Sequence, residues 1–171
     1  MRYFSGFALQ NEQELFEPYL IKNNFTYTGF SYGAIGGFEA VLNSKTRVDL
    51  LQLFSPANFM HKDKKFKKLQ LLHYRRNPNL YIQSFLKNIA NPSDVDMSQY
   101  LGTHDKSQLD ELLNYEWSEE KLATLQKKGV QMEVYLGECD EIIDAQQNYD
   151  FFKEFATVYF IKKAGHILKL K

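Results

Sequence analysis

The chain has 171 residues, 44% of them hydrophobic and 25% charged, which fits one folded domain and excludes both a disordered chain and a pair of enzyme-sized domains. Lys plus Arg and Asp plus Glu number 21 each, so the formal net charge is zero, a surface built wholly for nucleic acid is excluded, and an electrostatic partner must be met by a local patch. A single Cys excludes a disulfide framework and a Cys-rich zinc site and suits a reducing compartment.

Met1 to Phe7 is apolar and aromatic, breaks at Ser5-Gly6 and reads as a buried strand. It lacks the basic start and long apolar run of a secretory signal, and no window approaches the roughly 18 apolar residues of a membrane span, so a complete cytoplasmic protein is expected. Asn11 can cap a helix whose apolar face is Leu15, Phe16 and Tyr19-Leu20-Ile21, stopping at Asn23-Asn24. Phe25 to Phe30 is a second strand, rich in aromatic residues and Thr, and Ala34 to Leu42 a helix. Val48 to Phe54, closed by Ser55-Pro56, is the third strand. No strand follows until Gly129; the intervening text is helical at Phe66 to Arg76, Leu80 to Ile89, Leu109 to Leu113 and Ser118 to Lys128. Val130 to Leu136 is the fourth strand, Gln146 to Phe155 a helix, and Thr157 to Ile161 the fifth strand. This alternation predicts a single α/β domain of about five mainly parallel strands with flanking helices, and a helical cap insertion over about residues 57–128.

Gly29-Phe30-Ser31-Tyr32-Gly33 is a G-x-S-x-G between a predicted strand and a predicted helix. A Ser on such a turn holds its Oγ clear of the sheet in a cramped backbone conformation, and glycines two residues either side let strand and helix approach closely. A serine nucleophile needs a base. Of the four histidines, His61, His73 and His104 fall in the helical insertion, whereas His166 follows the last strand at the sheet edge that carries Ser31. The orienting acid should follow the fourth strand, where Asp140 is the first choice and Glu138 and Glu141 the fallback; Asp144 reads as the cap of the next helix and Cys139 as packing. Donors for a developing oxyanion are expected from the backbone N–H of Tyr32, which follows the nucleophile, and of Phe7, after the first strand, with both side chains walling an apolar acyl channel. No nucleotide or metal motif competes, and no cofactor is expected; Gly36-Gly37 lies inside a helix.

Charge is uneven. Lys62, Lys64, Lys65, Lys67, Lys68, Arg75 and Arg76 crowd the start of the insertion against one acid, Asp63. At about 100° per residue Phe66, Leu69 and His73 share one helix face, with Lys64, Lys68 and Arg75 opposite and Lys67 beside them. Lys64, Lys67, Lys68, Arg75 and Arg76 are the candidate docking residues for an acidic partner.

The order Ser, Asp, His is that of α/β-hydrolases. Met1-Arg2-Tyr3-Phe4-Ser5-Gly6-Phe7, Gly29 to Ile35, Leu53-Phe54-Ser55-Pro56, Phe66 to Gln70, and Gly129 to Gly137 with Asp140, taken in order, resemble the pimelyl-[acyl-carrier protein] methyl ester esterases of the BioV type, almost end to end. The resemblance implies Ser31 as nucleophile, Asp140 as acid and His166 as base. It also implies hydrolysis of a methyl ester at the far end of a pimeloyl chain tethered to an acyl-carrier protein, in biotin synthesis. Relative to larger α/β-hydrolases the chain is reduced: their first, second and fourth strands have no counterpart, and Ser5-Gly6 replaces the glycine-rich oxyanion signature.

Overall fold

The computed structural model describes residues 1–171. Strands β1 (Arg2–Phe4), β2 (Thr26–Phe30), β3 (Leu50–Phe54), β4 (Gln131–Gly137) and β5 (Thr157–Ile161) form one sheet, paired in sequence order and parallel throughout. β3, Leu-Leu-Gln-Leu-Phe, is buried at every residue, which is why a central strand of a parallel sheet reads as a continuous apolar run. Its exception, Gln52, is fully hydrogen-bonded, the amide donating to Tyr19 O and Glu133 Oε2 (both 2.9 Å) and accepting from Ile21 N–H at 3.1 Å.

Right-handed crossovers in an unshuffled strand order place the connecting helices on one face. α1 (Tyr32–Leu42) packs on β1 to β3, α5 (Glu119–Lys127) on α1 and β4, and α6 (Ala145–Phe152) on β4 and β5. Phe38, Leu122 and Phe152 there meet Leu51, Leu53 and Val134 of the sheet. The alternate strand residues Phe30, Phe54 and Tyr135 point the other way, where Phe16, Ile89 and Ile167 cover them. No helix is long and apolar enough to cross a membrane.

Two expectations change. The helix expected from Asn11 is only a 3-10 turn, Glu12–Phe16: Asn11 sits at φ 61° and makes no capping bond, and Pro18 has no N–H to continue the ladder. The insertion expected over about 57–128 contains two kinds of helix. α3 (Pro78–Ala90) and α4 (Lys106–Asn114) both pack on α2 (Lys64–Arg76), whereas α5 belongs to the layer against the sheet. A second 3-10 turn, Met97–Tyr100, was not legible as an element; its Tyr100 carbonyl accepts Gln10 N–H at 2.8 Å.

Candidate active site

β2 enters α1 through Ser31, at φ 53° and ψ −114°, a conformation that costs an isolated residue roughly 1–3 kcal/mol. The surroundings over-determine it: Ser31 N–H donates to Phe54 O at 2.9 Å, and Ser31 O accepts from Ala34 N–H at 3.1 Å and Ala57 N–H at 3.2 Å. A Cβ on Gly33 would strike the carbonyl oxygens of Phe4 and Ser5. Gly33 therefore lets the end of β1 lie against the first turn of α1, which brings the Ser5–Phe7 loop beside Ser31.

A comparable contact joins the other two strand ends. A Cβ on Gly137 would meet the carbonyls of Gly165 and Ala164. Across this approach Cys139 N–H donates to Ala164 O at 2.8 Å, and Lys163 N–H donates to the Glu138 carboxylate at 2.9 Å. His166, itself wholly buried, is further held by Ser55 Oγ–H, which donates to its carbonyl at 2.7 Å.

The result is a continuous hydrogen-bonded chain. His166 Nε2 lies 2.9 Å from Ser31 Oγ, and His166 Nδ1 lies 2.6 Å from Asp140 Oδ2. The other Asp140 oxygen accepts the N–H groups of Ile142 (2.8 Å) and Ile143 (3.0 Å), and both the Asp140 and His166 side chains are fully sequestered from solvent. With the carboxylate facing Nδ1, that nitrogen carries the proton and Nε2 is the acceptor for the Ser31 hydroxyl. None of the alternatives reaches His166. Glu138 holds Lys163 N–H, Glu141 is exposed, and Asp144 caps α6 by accepting Gln147 N–H at 2.9 Å. Cys139 is exposed, not packed as expected, because its side chain points out of the tight loop that carries Asp140. His104 bonds Tyr74 OH through Nδ1 at 2.8 Å, while His61 and His73 are exposed.

Neither Phe7 N–H nor Tyr32 N–H donates to a protein acceptor, whereas Gly6 N–H is taken by Glu12 Oε1 at 2.8 Å. Tyr32 opens α1, and a first-turn N–H has no partner within its helix. The side chains of these two residues do not wall a channel. Phe7 packs edge-on to Phe85, with its ring beside Tyr74, and Tyr32 OH donates to Glu111 Oε2 on α4 at 2.7 Å. Burial pushes the Tyr32 phenol upward, and the Glu111 carboxylate adds to the shift.

Ser31 instead opens onto a cavity of about 710 Å³ roofed by α2, α3 and α4, with Phe59, Phe66, Leu109, Leu112 and Ile142 as its apolar wall. Beside Ser31, its polar members include Gln70, His73, Arg76, Asn88 and one acid, Glu141. The α3 face that lines it, Tyr81, Ser84, Phe85 and Asn88, has helical spacing, but nothing in the sequence marks which protein surface it meets. The basic residues divide. Arg76 lines the cavity, and Lys67 is half-buried. Lys64, Lys68 and Arg75 lie about 180° around α2 from Phe66 and His73, facing away from it. The apolar face expected from Phe66, Leu69 and His73 is also redrawn: Leu69 is 44% exposed, and Tyr74 is the buried residue of α2, because the helix rests on α3 and α4 along that side.

A parallel sheet with its serine on a strained strand-to-helix turn after β2, and an acid and a histidine after β4 and β5, is a reduced α/β-hydrolase fold. Solved structures agree. MenH from S. aureus superposes with a TM-score of 0.61 at 12% identity, covering 98% of this chain and 87% of its own. BioG from Haemophilus influenzae gives 0.61 at 12% identity, covering 96% and 87%. Naproxen esterase (carboxylesterase NP) from Bacillus subtilis gives 0.55 at 22% identity and 84% of this chain. The chain spans about half the length of the Bacillus subtilis hydrolases it matches, 53% in the case of naproxen esterase. No protein-family model and no curated protein sequence matches it.

Proposed function

We propose that the protein is a serine carboxylesterase in which Ser31 is the nucleophile, His166 the general base and acid, and Asp140 the residue that orients and charge-stabilises the imidazole. The observation that carries this reading is the unbroken Ser31–His166–Asp140 hydrogen-bond chain at the wall of a mainly apolar cavity. Ser31 Oγ attacks the ester carbonyl as His166 Nε2 takes its proton. The carbonyl oxygen, now anionic, accepts from the N–H groups of Phe7 and Tyr32. The tetrahedral carbon then expels the alcohol, to which His166 returns the proton, leaving an acyl group on Ser31. Water, deprotonated by His166, attacks that acyl group; the carboxylic acid departs and the proton returns to Ser31.

For the substrate we propose a methyl ester at the end of a pimeloyl chain tethered to acyl-carrier protein, so that methanol is the leaving group. The sequence resemblance supports this, as does a mainly apolar cavity whose polar side includes Arg76. The cytoplasm is the compartment this substrate requires. Carrier proteins are acidic, and Lys64, Lys67, Lys68, Arg75 and Arg76 give α2 the charge to meet one, with Arg76, which lines the cavity, proposed to meet the tethered chain. Fluorophosphonate treatment followed by mass spectrometry should place one label on Ser31. Ser31→Ala and His166→Ala should each lower ester turnover by roughly 10³-fold or more in a folded protein. Turnover of a carrier-bound methyl ester well above that of a thioester or a free short-chain ester would support the specific substrate; equal rates would leave a general esterase. Near-normal turnover by Ser31→Ala would refute the serine mechanism.

A further inference from the structure

Glu12 has no exposed surface, no cationic neighbour and no place in the proton-transfer chain. Carboxyl groups are almost never buried without a partner, because desolvation of the charge is costly, so its retention asks for a role. One oxygen, Oε1, accepts Gly6 N–H at 2.8 Å and Tyr3 OH at 3.3 Å; the other, Oε2, has no partner.

We propose that Glu12 is a positioning residue for the oxyanion hole: its carboxyl clamps the Ser5–Leu9 loop at Gly6 N–H and thereby aims the adjacent Phe7 N–H at the substrate carbonyl. The inference rests on the serine-esterase reading. The loop geometry supports it. Leu9 N–H donates to Gly6 O at 3.1 Å, closing a turn in which Ala8 adopts φ 59°. Downstream, Ala8 O accepts Gly102 N–H and Gln10 N–H donates to Tyr100 O, both at 2.8 Å. The far end of the loop is thus tied to the segment around Tyr100. At the near end the backbone N–H of Gly6 is tied by Glu12 alone, and Phe7 N–H is left free. An oxyanion donor acts through preorganisation, so a displacement of about 1 Å can cost about 10²-fold in rate. Burial also pushes the Glu12 carboxyl upward, against the opposing pull of the Gly6 N–H and of the Ser5 and Tyr3 side chains.

Glu12→Gln retains an acceptor oxygen at the same reach, Glu12→Asp withdraws it by one methylene, and Glu12→Leu removes it. With a small p-nitrophenyl ester, Glu12→Gln should keep kcat within about threefold, whereas Glu12→Leu should lose about 30- to 100-fold and Glu12→Asp about tenfold, each with KM nearly unchanged. Inhibition by a trifluoromethyl ketone, which forms the tetrahedral adduct, should weaken in parallel with kcat. Thermal melting separates these losses from unfolding, and the milder Glu12→Asp decides the matter if Glu12→Leu does not fold. Unchanged kcat in folded Glu12→Asp or Glu12→Leu, or a loss in Glu12→Gln as large as in Glu12→Leu, overturns the clamp while leaving the esterase intact. A wild-type protein that takes no fluorophosphonate on Ser31 removes the esterase reading itself.

Discussion

Asp140→Asn tests the proposed mechanism at its most constrained point. Asp140 Oδ1 already accepts two backbone N–H groups, from Ile142 and Ile143, in a side chain with no solvent exposure. An Asn there has two orientations. If its amide nitrogen turned toward Ile142 and Ile143, two buried donors would lose their acceptor, at about 1–3 kcal/mol each, roughly 2–6 kcal/mol in all. The carbonyl oxygen therefore stays with the backbone, and the NH₂ group faces His166 Nδ1 across the present 2.6 Å contact. Nδ1 must then accept, the ring proton moves to Nε2, and Nε2 points a hydrogen at Ser31 Oγ instead of a lone pair. The base is lost while the shape is kept. The same exchange in a serine-protease triad lowers kcat about 10⁴-fold, equivalent to about 5 kcal/mol of barrier. The assay is kcat on a p-nitrophenyl ester beside a thermal melt. Asp144→Asn is the control: Asn caps helices as well as Asp does, so both turnover and melting should stay near wild type. A folded Asp140→Asn protein within tenfold of wild-type turnover would refute the tautomer argument, and a larger loss in Asp144→Asn would move the acid.

Gly33→Ala should cost about 1–3 kcal/mol in stability and more than tenfold in kcat, because its Cβ must displace the Phe4 and Ser5 carbonyls and with them the oxyanion loop; unaltered kinetics would show that β1 can retreat freely. Ser84→Phe adds bulk at the exposed side of the cavity, and excluding about two methylenes of an acyl chain, at about 0.8 kcal/mol each, should lower kcat/KM for an octanoyl ester about 15-fold while sparing an acetyl ester. Arg76→Glu should reduce kcat/KM for a carrier-bound ester more than the joint reversal of Lys64, Lys68 and Arg75, with added salt lowering the wild-type value and neither change affecting a small ester; the opposite ranking would put the docking surface on the far side of α2. For pH, the folded Glu12 carboxyl is raised above its unfolded value of about 4.3, so the folded state binds its proton more tightly and stability falls as pH climbs through the folded value; the melting temperature of Glu12→Gln should gain on wild type over that climb, and parallel curves would contradict the assignment.

The sequence singled out Ser31, Asp140 and His166, because each follows a strand-like run and the folding rules for parallel sheets send those strand ends to one edge. The G-x-S-x-G spacing carried local information as well, since Gly33 is explained by a clash a Cβ would make. What was not legible depends on contacts distant in sequence. The apolar content of α2 pointed to Leu69 on a buried face, yet Leu69 and Leu72 are exposed, because the helix divides its contacts between a cavity at Phe66 and neighbouring helices at Tyr74. Phe7 and Tyr32 were expected to wall a channel through their proximity to the nucleophile, but each side chain is claimed elsewhere, by Phe85 and by Glu111. Glu12 gave no signal at all. An acid in the first turn of an expected helix is the commonest place for one, and only the burial of its carboxyl against Gly6 distinguishes it.

The shortening of the fold explains why such a residue matters. Between Phe4 and Thr26 the chain makes one 3-10 turn and no full helix, and the sheet face opposite α1 is covered by loops, short segments and the C-terminal end of α3 at Ile89 and Ala90. Phe16 stacks on Phe54 at 4.8 Å and lies against Phe30 at the same distance, while Phe30 in turn lies 5.1 Å from the His166 ring. Ile167 and Leu168, which follow His166 in the chain, belong to the same cluster. Leu9 of the candidate oxyanion loop and Ile167 and Leu168 beside the candidate base are therefore among the residues that shield this face. In a longer hydrolase those tasks can be divided between dedicated helices and dedicated loops. Here the hydrogen bonds that hold the loop come from within it, from the Tyr100–Gly102 segment at its far end, and from the Glu12 carboxyl under Gly6 at its near end.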